Sequence, residues 1–224
     1  MATTAMTAMT GATTTAKAAA PPPGANDPLG TPGWLTIGNR HTGEVLKLRR
    51  VVRDGQLCLE LQGSLGPRQD GPPLHIHYAE HEEGIVLSGT LSAEVDGRRM
   101  QFKAGEVAPL PAGLPHRWWN DGDEPLAFGG VTRPLVDLDV YLQAAFEVLN
   151  SGPAGRPPLF YMAHLAWRHR RTQAVLFAPL WLQRVFLPVV VSLGRILGRY
   201  RGTDWPGCPA RVGVVPLAAR EKER

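Results

Sequence analysis

Cysteine is scarce: the 224 residues hold only Cys58 and Cys208. Two thiols so far apart in sequence do not make a disulfide framework, so reduced thiols and a cytoplasmic protein are expected. Charge is nearly missing from the beginning, where Met1 to Gly30 carries only Lys17 and Asp27. Lacking both an apolar core and an arginine-rich amphipathic pattern, this stretch is not expected to be a signal or transit peptide. Long apolar runs are missing as well. The most hydrophobic stretch, Val185 to Leu193, falls well short of the roughly 20 residues a spanning helix requires, and Gln183 and Arg184 interrupt any longer window. Acidic residues are rare in the last third: Ser151 to Arg224 holds 12 Lys and Arg against 3 Asp and Glu, whereas the first 150 residues hold 12 against 17. The overall charge of +4 therefore conceals an acidic body and a basic tail.

Glycine and proline are plentiful, 25 and 21 residues, which favours many tight turns. Residues 1–33 form an Ala/Thr stretch running into Pro21-Pro22-Pro23, too poor in apolar side chains to offset the entropy of ordering, and are expected to be disordered and dispensable. From Trp34 to Gly130 short runs rich in β-branched and aromatic residues alternate with Gly, Asp and Pro, the pattern of a sandwich or barrel. Asp54-Gly55 and Asp96-Gly97 each sit between two such runs, a strong hairpin signal. Beyond Pro134 the period changes to 3.6. Leu135, Leu138, Leu142, Phe146 and Leu149 recur at helical spacing, and Ser151-Gly152-Pro153 supplies the stop. A further apolar block, Leu159 to Leu197, reads as two or three helices broken near Pro179 and Pro188. The expected organisation is a disordered tail over residues 1–33, a β-barrel over 34–133, a helical extension over 134–200 and a basic tail over 201–224.

His75 and His77 are one residue apart, so on a strand their side chains leave the same face, close enough to share an ion. Glu82 follows and His116 comes from a later strand. Imidazoles suit iron, nickel, copper, zinc and manganese, and a carboxylate favours the harder members of that set. With three neutral ligands and one anion, a single divalent transition metal ion would keep open positions for water or substrate, a catalytic arrangement. Glu80 and Glu83 are nearby alternatives, but Glu83 has the opposite strand parity. Tyr78 and His81 are expected to face solvent, and His41, His164 and His169 to be surface or packing residues.

These residues resemble the cupin superfamily. Its first motif is matched by His75, His77, Glu82 and Gly89, and its second by Gly105, Pro111, Gly113, His116 and Asn120, with every spacing kept. The text around them, PPLHIHYAEHEEGIVLSG and LPAGLPHRWWNDGDEPL, is similar to the quercetin-dioxygenase-like single-cupin subgroup. One departure is that the glycine opening the first motif would fall at Gln69, with Gly71 nearby. The resemblance implies a mainly β fold, a jelly-roll barrel, and a metal held by His75, His77, Glu82 and His116. It also favours a metal-dependent oxygenase in which Glu82 doubles as the base. A non-oxidative metal enzyme (isomerase, decarboxylase or polyketide cyclase) and a non-catalytic binding module stay open. Strand parity puts Trp118 on the face of His116 and Gly84, Val86 and Ser88 on that of Glu82, so Val86 and Trp118 are the expected walls of a mostly apolar pocket for a flat aromatic or enol-type small molecule. No helix-turn-helix pattern is present, and no nucleic-acid partner is expected. The helical extension is expected to cover apolar surface on the barrel or on a second copy, giving a homodimer, with contact at a membrane surface as the rival.

Overall fold

A computed structural model of the chain describes residues 33–153 and 156–200. The expectations for residues 1–32, for the basic tail 201–224 and for Cys208 lie outside the described residues. In chain order the elements are β1 (Leu35–Gly38), β2 (Val45–Arg53), β3 (Gln56–Leu65), β4 (Gln69–Asp70), β5 (His75–His77), β6 (His81–Ser88), β7 (Thr90–Val95) and β8 (Arg98–Lys103). They continue with β9 (Val107–Leu110), β10 (His116–Asn120), β11 (Leu126–Arg133), α1 (Leu138–Asn150), α2 (Leu159–Arg168), β12 (Gln173–Val175) and α3 (Leu180–Ile196).

The strands form two antiparallel sheets, ordered β1-β2-β3-β11-β6-β9 and β12-β5-β10-β7-β8, with β4 added beside β10. The class is mainly β with a C-terminal helical part, the jelly-roll type, although the sheets stay open rather than closing into one barrel. Both Asp-Gly pairs make two-residue hairpins, linking Arg53 to Gln56 and Val95 to Arg98. Their φ values, 51° and 74° at Asp54-Gly55 and 49° and 76° at Asp96-Gly97, are those of the type I′ turn, whose twist matches the flanking strands.

Period-2 alternation sends Leu46, Leu48, Leu59, Leu65, Val86, Leu91, Leu126 and Phe128 into one buried cluster. α1 joins that cluster through Leu138 and Phe146, so the helical repeat read from the sequence lies on the strands. An ion pair between Arg50 of β2 and Asp139 of α1, 2.5 Å apart, fastens it there. Glu60, almost completely buried on β3, is bonded by both Arg49 and Arg53. Burial acts to raise its pKa, but the two guanidiniums outweigh burial and lower it.

The helical extension departs from the expected breaks. Pro179 is the N-cap of α3, but Pro188 lies inside that helix. The helix runs through the lost backbone bond because Leu187, Val190 and Val191 on either side of it pack against Ala163 of α2. Between α2 and α3 the chain makes a strand that the sequence reading took for helix. β12 pairs with β5 in the register Gln173↔His77, Ala174↔Ile76 and Val175↔His75. The extension thus covers the outer edge of the strand that carries two of the candidate ligands.

Candidate metal centre

Three imidazoles come from one sheet and the carboxylate from the other. His75 and His77 lie on β5, and His116 of β10 is the direct cross-strand partner of His75. Their ring centroids are 4.5 Å (His75–His116), 4.9 Å (His75–His77) and 5.4 Å (His77–His116) apart. Glu82 on β6 faces them, its carboxylate oxygens 3.8 Å from His77 Nε2 and 3.7 Å from His116 Nε2. One candidate donor atom from each of the four residues lies within 4.8 Å of all the others.

The hydrogen bonding shows what these atoms are for. His75 Nδ1 is 2.8 Å from the Pro73 carbonyl and His116 Nδ1 is 2.9 Å from the Leu114 carbonyl. A carbonyl only accepts, so each Nδ1 carries the proton and each Nε2 presents a lone pair. His116 Nε2 is buried and has no hydrogen-bond partner among the described residues, since 3.7 Å to Glu82 is too long for one. An orphaned buried lone pair is costly unless something else meets it. Ligand bonds of roughly 2.0 to 2.2 Å set donor atoms on one ion roughly 3 to 4.4 Å apart, which the 3.7 and 3.8 Å separations fit.

Electrostatics favour the ligating forms of His75 and Glu82. Burial, with the neighbouring imidazoles of His116 and His77, pushes His75 down to about 3, so it is neutral and free to ligate. Burial acts to raise Glu82, but the imidazoles of His77, His116 and His75 outweigh it and hold the carboxyl at about 2. For His77 burial acts downward, but the carboxylates of Glu82 and Glu80 prevail and raise its pKa.

Glu80, weighed from the sequence only as an alternative ligand to Glu82, is fully buried and has another task. Its Oε1 accepts the backbone N–H groups of Val136 (2.8 Å), Asp137 (3.1 Å) and Leu138 (3.1 Å), the opening of α1. Its Oε2 lies 3.7 Å from His77 Nδ1. Asp137, the N-cap residue, makes no side-chain cap bond; its carboxylate meets Nδ1 of buried His169 at 2.8 Å instead. Glu80, in the connection between β5 and β6, thus caps α1 from far away in sequence and sets its second carboxylate oxygen beside the ring of His77, too far for a hydrogen bond. No local pattern announces this, because the donors lie more than fifty residues downstream.

Thr132 is a second residue that parity did not single out. Paired with Glu82 across β11 and β6, it is fully buried, and its hydroxyl finds no partner among the described residues. Leu110 flanks Glu82 from β9. Next inward is Gly84, where an added Cβ would meet nothing closer than 3.9 Å, so room remains beside the carboxylate. Val86 and Trp118 lie farther in. Val86 is two inward positions beyond Glu82, roughly 13 Å along the strand, in the packed cluster opposite Phe128. Trp118 packs edge-on against Phe128 at 4.7 Å, closing the interior below His116.

Other expectations stand as follows. Glu83 points outward and pairs with Arg133, and Tyr78 and His81 are exposed. Gly89, Gly105 and Gly113 take φ of 78°, 88° and 79°, as turn residues that need the left-handed region. Buried Asn120 braces the end of β10 by donating to the carbonyls of Gly66 and Glu124. Gly71 has a reason of its own, since a Cβ there would sit 2.2 Å from the Trp118 carbonyl oxygen.

Residues 63–135 match the family model described as Cupin domain. Among curated proteins, the chain is 42% identical over 53 residues to quercetin 2,3-dioxygenase of Bacillus subtilis, covering 24% of this chain and 16% of that protein. It is 35% identical over 79 residues to the oxidoreductase iacF of Pestalotiopsis fici, covering 34% and 39%. The chain therefore spans well under half the length of either relative. Among solved structures, KdgF from Halomonas sp. is similar at 16% identity and TM-score 0.35, covering 42% of this chain and 83% of that one. The cupin domain of Cnp3 from Schizosaccharomyces pombe is similar at 15% identity and TM-score 0.35, covering 42% and 67%.

Proposed function

We propose that this chain, a member of the cupin superfamily, is a metal-dependent oxygenase acting on a small aromatic or enol-type substrate. The observation that carries the reading is the convergence of three imidazoles and one carboxylate with donor atoms within 4.8 Å of one another. His75, His77 and His116 would hold the ion through Nε2, and Glu82 would complete the set. A bound divalent transition metal would supply Lewis acidity and open positions for a substrate oxygen and O2. The oxygenase reading, as against other metal chemistry, is supported by the partial identity to quercetin 2,3-dioxygenase.

The chain's own residues have distinct parts. Glu82, held at about 2, is ionised across the neutral range and ready to accept a proton. So weak a base takes protons only from a substrate hydroxyl that has itself been made acidic. The Thr132 hydroxyl, across the strand pair from Glu82, is placed to orient a polar group of the substrate. Leu110, Trp118 and Val86 exclude water from beneath, and the space beside Gly84 sets the width available to a flat ring.

The test is metal analysis of purified protein followed by O2 uptake with candidate phenols and diketones. His77→Ala should lower metal occupancy sharply. Glu82→Gln should retain more metal yet lose more activity, because an amide presents an oxygen but takes no proton. Turnover per bound metal equal to the parent's in Glu82→Gln would remove the proposed base. Product formation without O2 would replace the oxygenase by a non-oxidative metal enzyme.

A further inference from the structure

The helical extension carries a surface that the metal centre does not use. α3 buries Gln183, Leu187, Val190, Val191 and Gly194. It turns outward Trp181, Val185, Phe186, Val189 and Ile196, which are between 52% and 82% exposed. Their spacing gathers them on one side of the helix, opposite the stripe packed on α2. Phe177, just ahead of the helix, is 61% exposed as well. Folded chains seldom leave so continuous an apolar face in water.

Charge says what would cover it. No Asp or Glu occurs between Glu147 and Asp204, a stretch that contains all of α2, β12 and α3. Exposed Arg184 and Arg195 follow one border of the apolar stripe. Arg184 also lines an open cavity of ≈ 590 Å³ with Arg170, Arg171, Trp167 and Tyr78. The Arg170 guanidinium lies 3.8 Å from the centre of the Trp167 ring. Among the described residues, none of Arg170, Arg171 and Arg184 is paired with a carboxylate.

The geometry points to a peripheral membrane surface: α3 lies along an anionic phospholipid bilayer, with Trp181, Val185, Phe186, Val189 and Ile196 at the boundary of headgroups and acyl chains and the arginine-lined cavity against headgroup phosphates. Apolar insertion beside cationic side chains is how interfacial helices bind, and each arginine near such a surface contributes favourably. A two-fold contact with a second copy would instead crowd the arginines of both chains, with no carboxylate on α2 or α3 to neutralise them. Spanning is excluded for α3, since 17 residues reach roughly 25 Å against a hydrocarbon core of roughly 30 Å.

Sedimentation of the full chain with vesicles tests this. It should pellet with an equal mixture of phosphatidylcholine and phosphatidylglycerol, stay in the supernatant with phosphatidylcholine alone, and be released when salt is raised from about 0.1 M to about 1 M. Arg184→Gln with Arg195→Gln should weaken partitioning roughly 25-fold, about five-fold per arginine. Val185→Glu with Val189→Glu should abolish pelleting while leaving the melting temperature unchanged, because both sites are exposed. No pelleting with the anionic vesicles, or equal pelleting with both kinds, overturns the proposal. So does a lower melting temperature in the glutamate variant, which would show the face packed on the chain itself, or a dimer by light scattering that this variant dissociates.

Discussion

Replacing Glu80 by alanine removes the acceptor of three backbone N–H groups at the start of α1 together with the carboxylate facing His77 Nδ1. Removing one partner from a buried charged network costs roughly 3 to 5 kcal/mol. The lower end applies, because Val136 is 49% exposed and its freed N–H can turn to water, whereas the Leu138 bond is buried. About 3 kcal/mol should lower the urea midpoint by roughly 1 M with an unchanged slope. Glu80→Gln keeps one carbonyl oxygen for the helix start and should lose about 1 kcal/mol. The second readout is metal affinity. With the carboxylate beside His77 gone, Glu80→Ala should bind metal 10- to 100-fold more weakly, roughly the loss seen when a ligand's supporting partner is removed. An urea midpoint within error of the parent would refute the capping argument. Unchanged metal affinity in a destabilised protein would refute the link to His77.

Two further substitutions probe other parts of the chain. Burial pushes Glu44 up to about 7, so the folded chain holds this proton more tightly than the unfolded one, and stability falls as pH rises from about 4.5 to about 7. Glu44→Gln should therefore stabilise the fold at pH 8 and not at pH 4, by up to about 3 kcal/mol less whatever solvent screening removes, seen as a melting temperature raised at pH 8 alone; equal effects at both pH values would contradict this. Gly71→Ala puts a methyl 2.2 Å from the Trp118 carbonyl oxygen and 3.0 Å from its ring, forcing β4 away from β10. The expected cost of about 2 to 3 kcal/mol should appear as a melting temperature lower by roughly 4 to 12 °C, and an unchanged one would refute the close approach.

Much of this protein is written locally. Alternation in β2, β6 and β11 and the two Asp-Gly turns determine strands, register and hairpins, because side-chain parity and positive φ are properties of a few adjacent residues. The spacing of His75, His77, Glu82 and His116 was likewise sufficient to name the four side chains that the fold gathers. Parity also assigned Val86 and Trp118 to the inner face but gave no depth, and contacts with Phe128, across the strand pair for Val86 and between the sheets for Trp118, put both in the packed interior. Glu80 as a remote cap, Thr132 beside Glu82, and β12 along the edge of β5 depend on partners roughly fifty to a hundred residues away, which no local period encodes. The apolar residues of α3 were visible as a run, but which of them face α2 and which face outward is decided by packing, since a helix hydrophobic on most sides carries no mark of the side its neighbour will take.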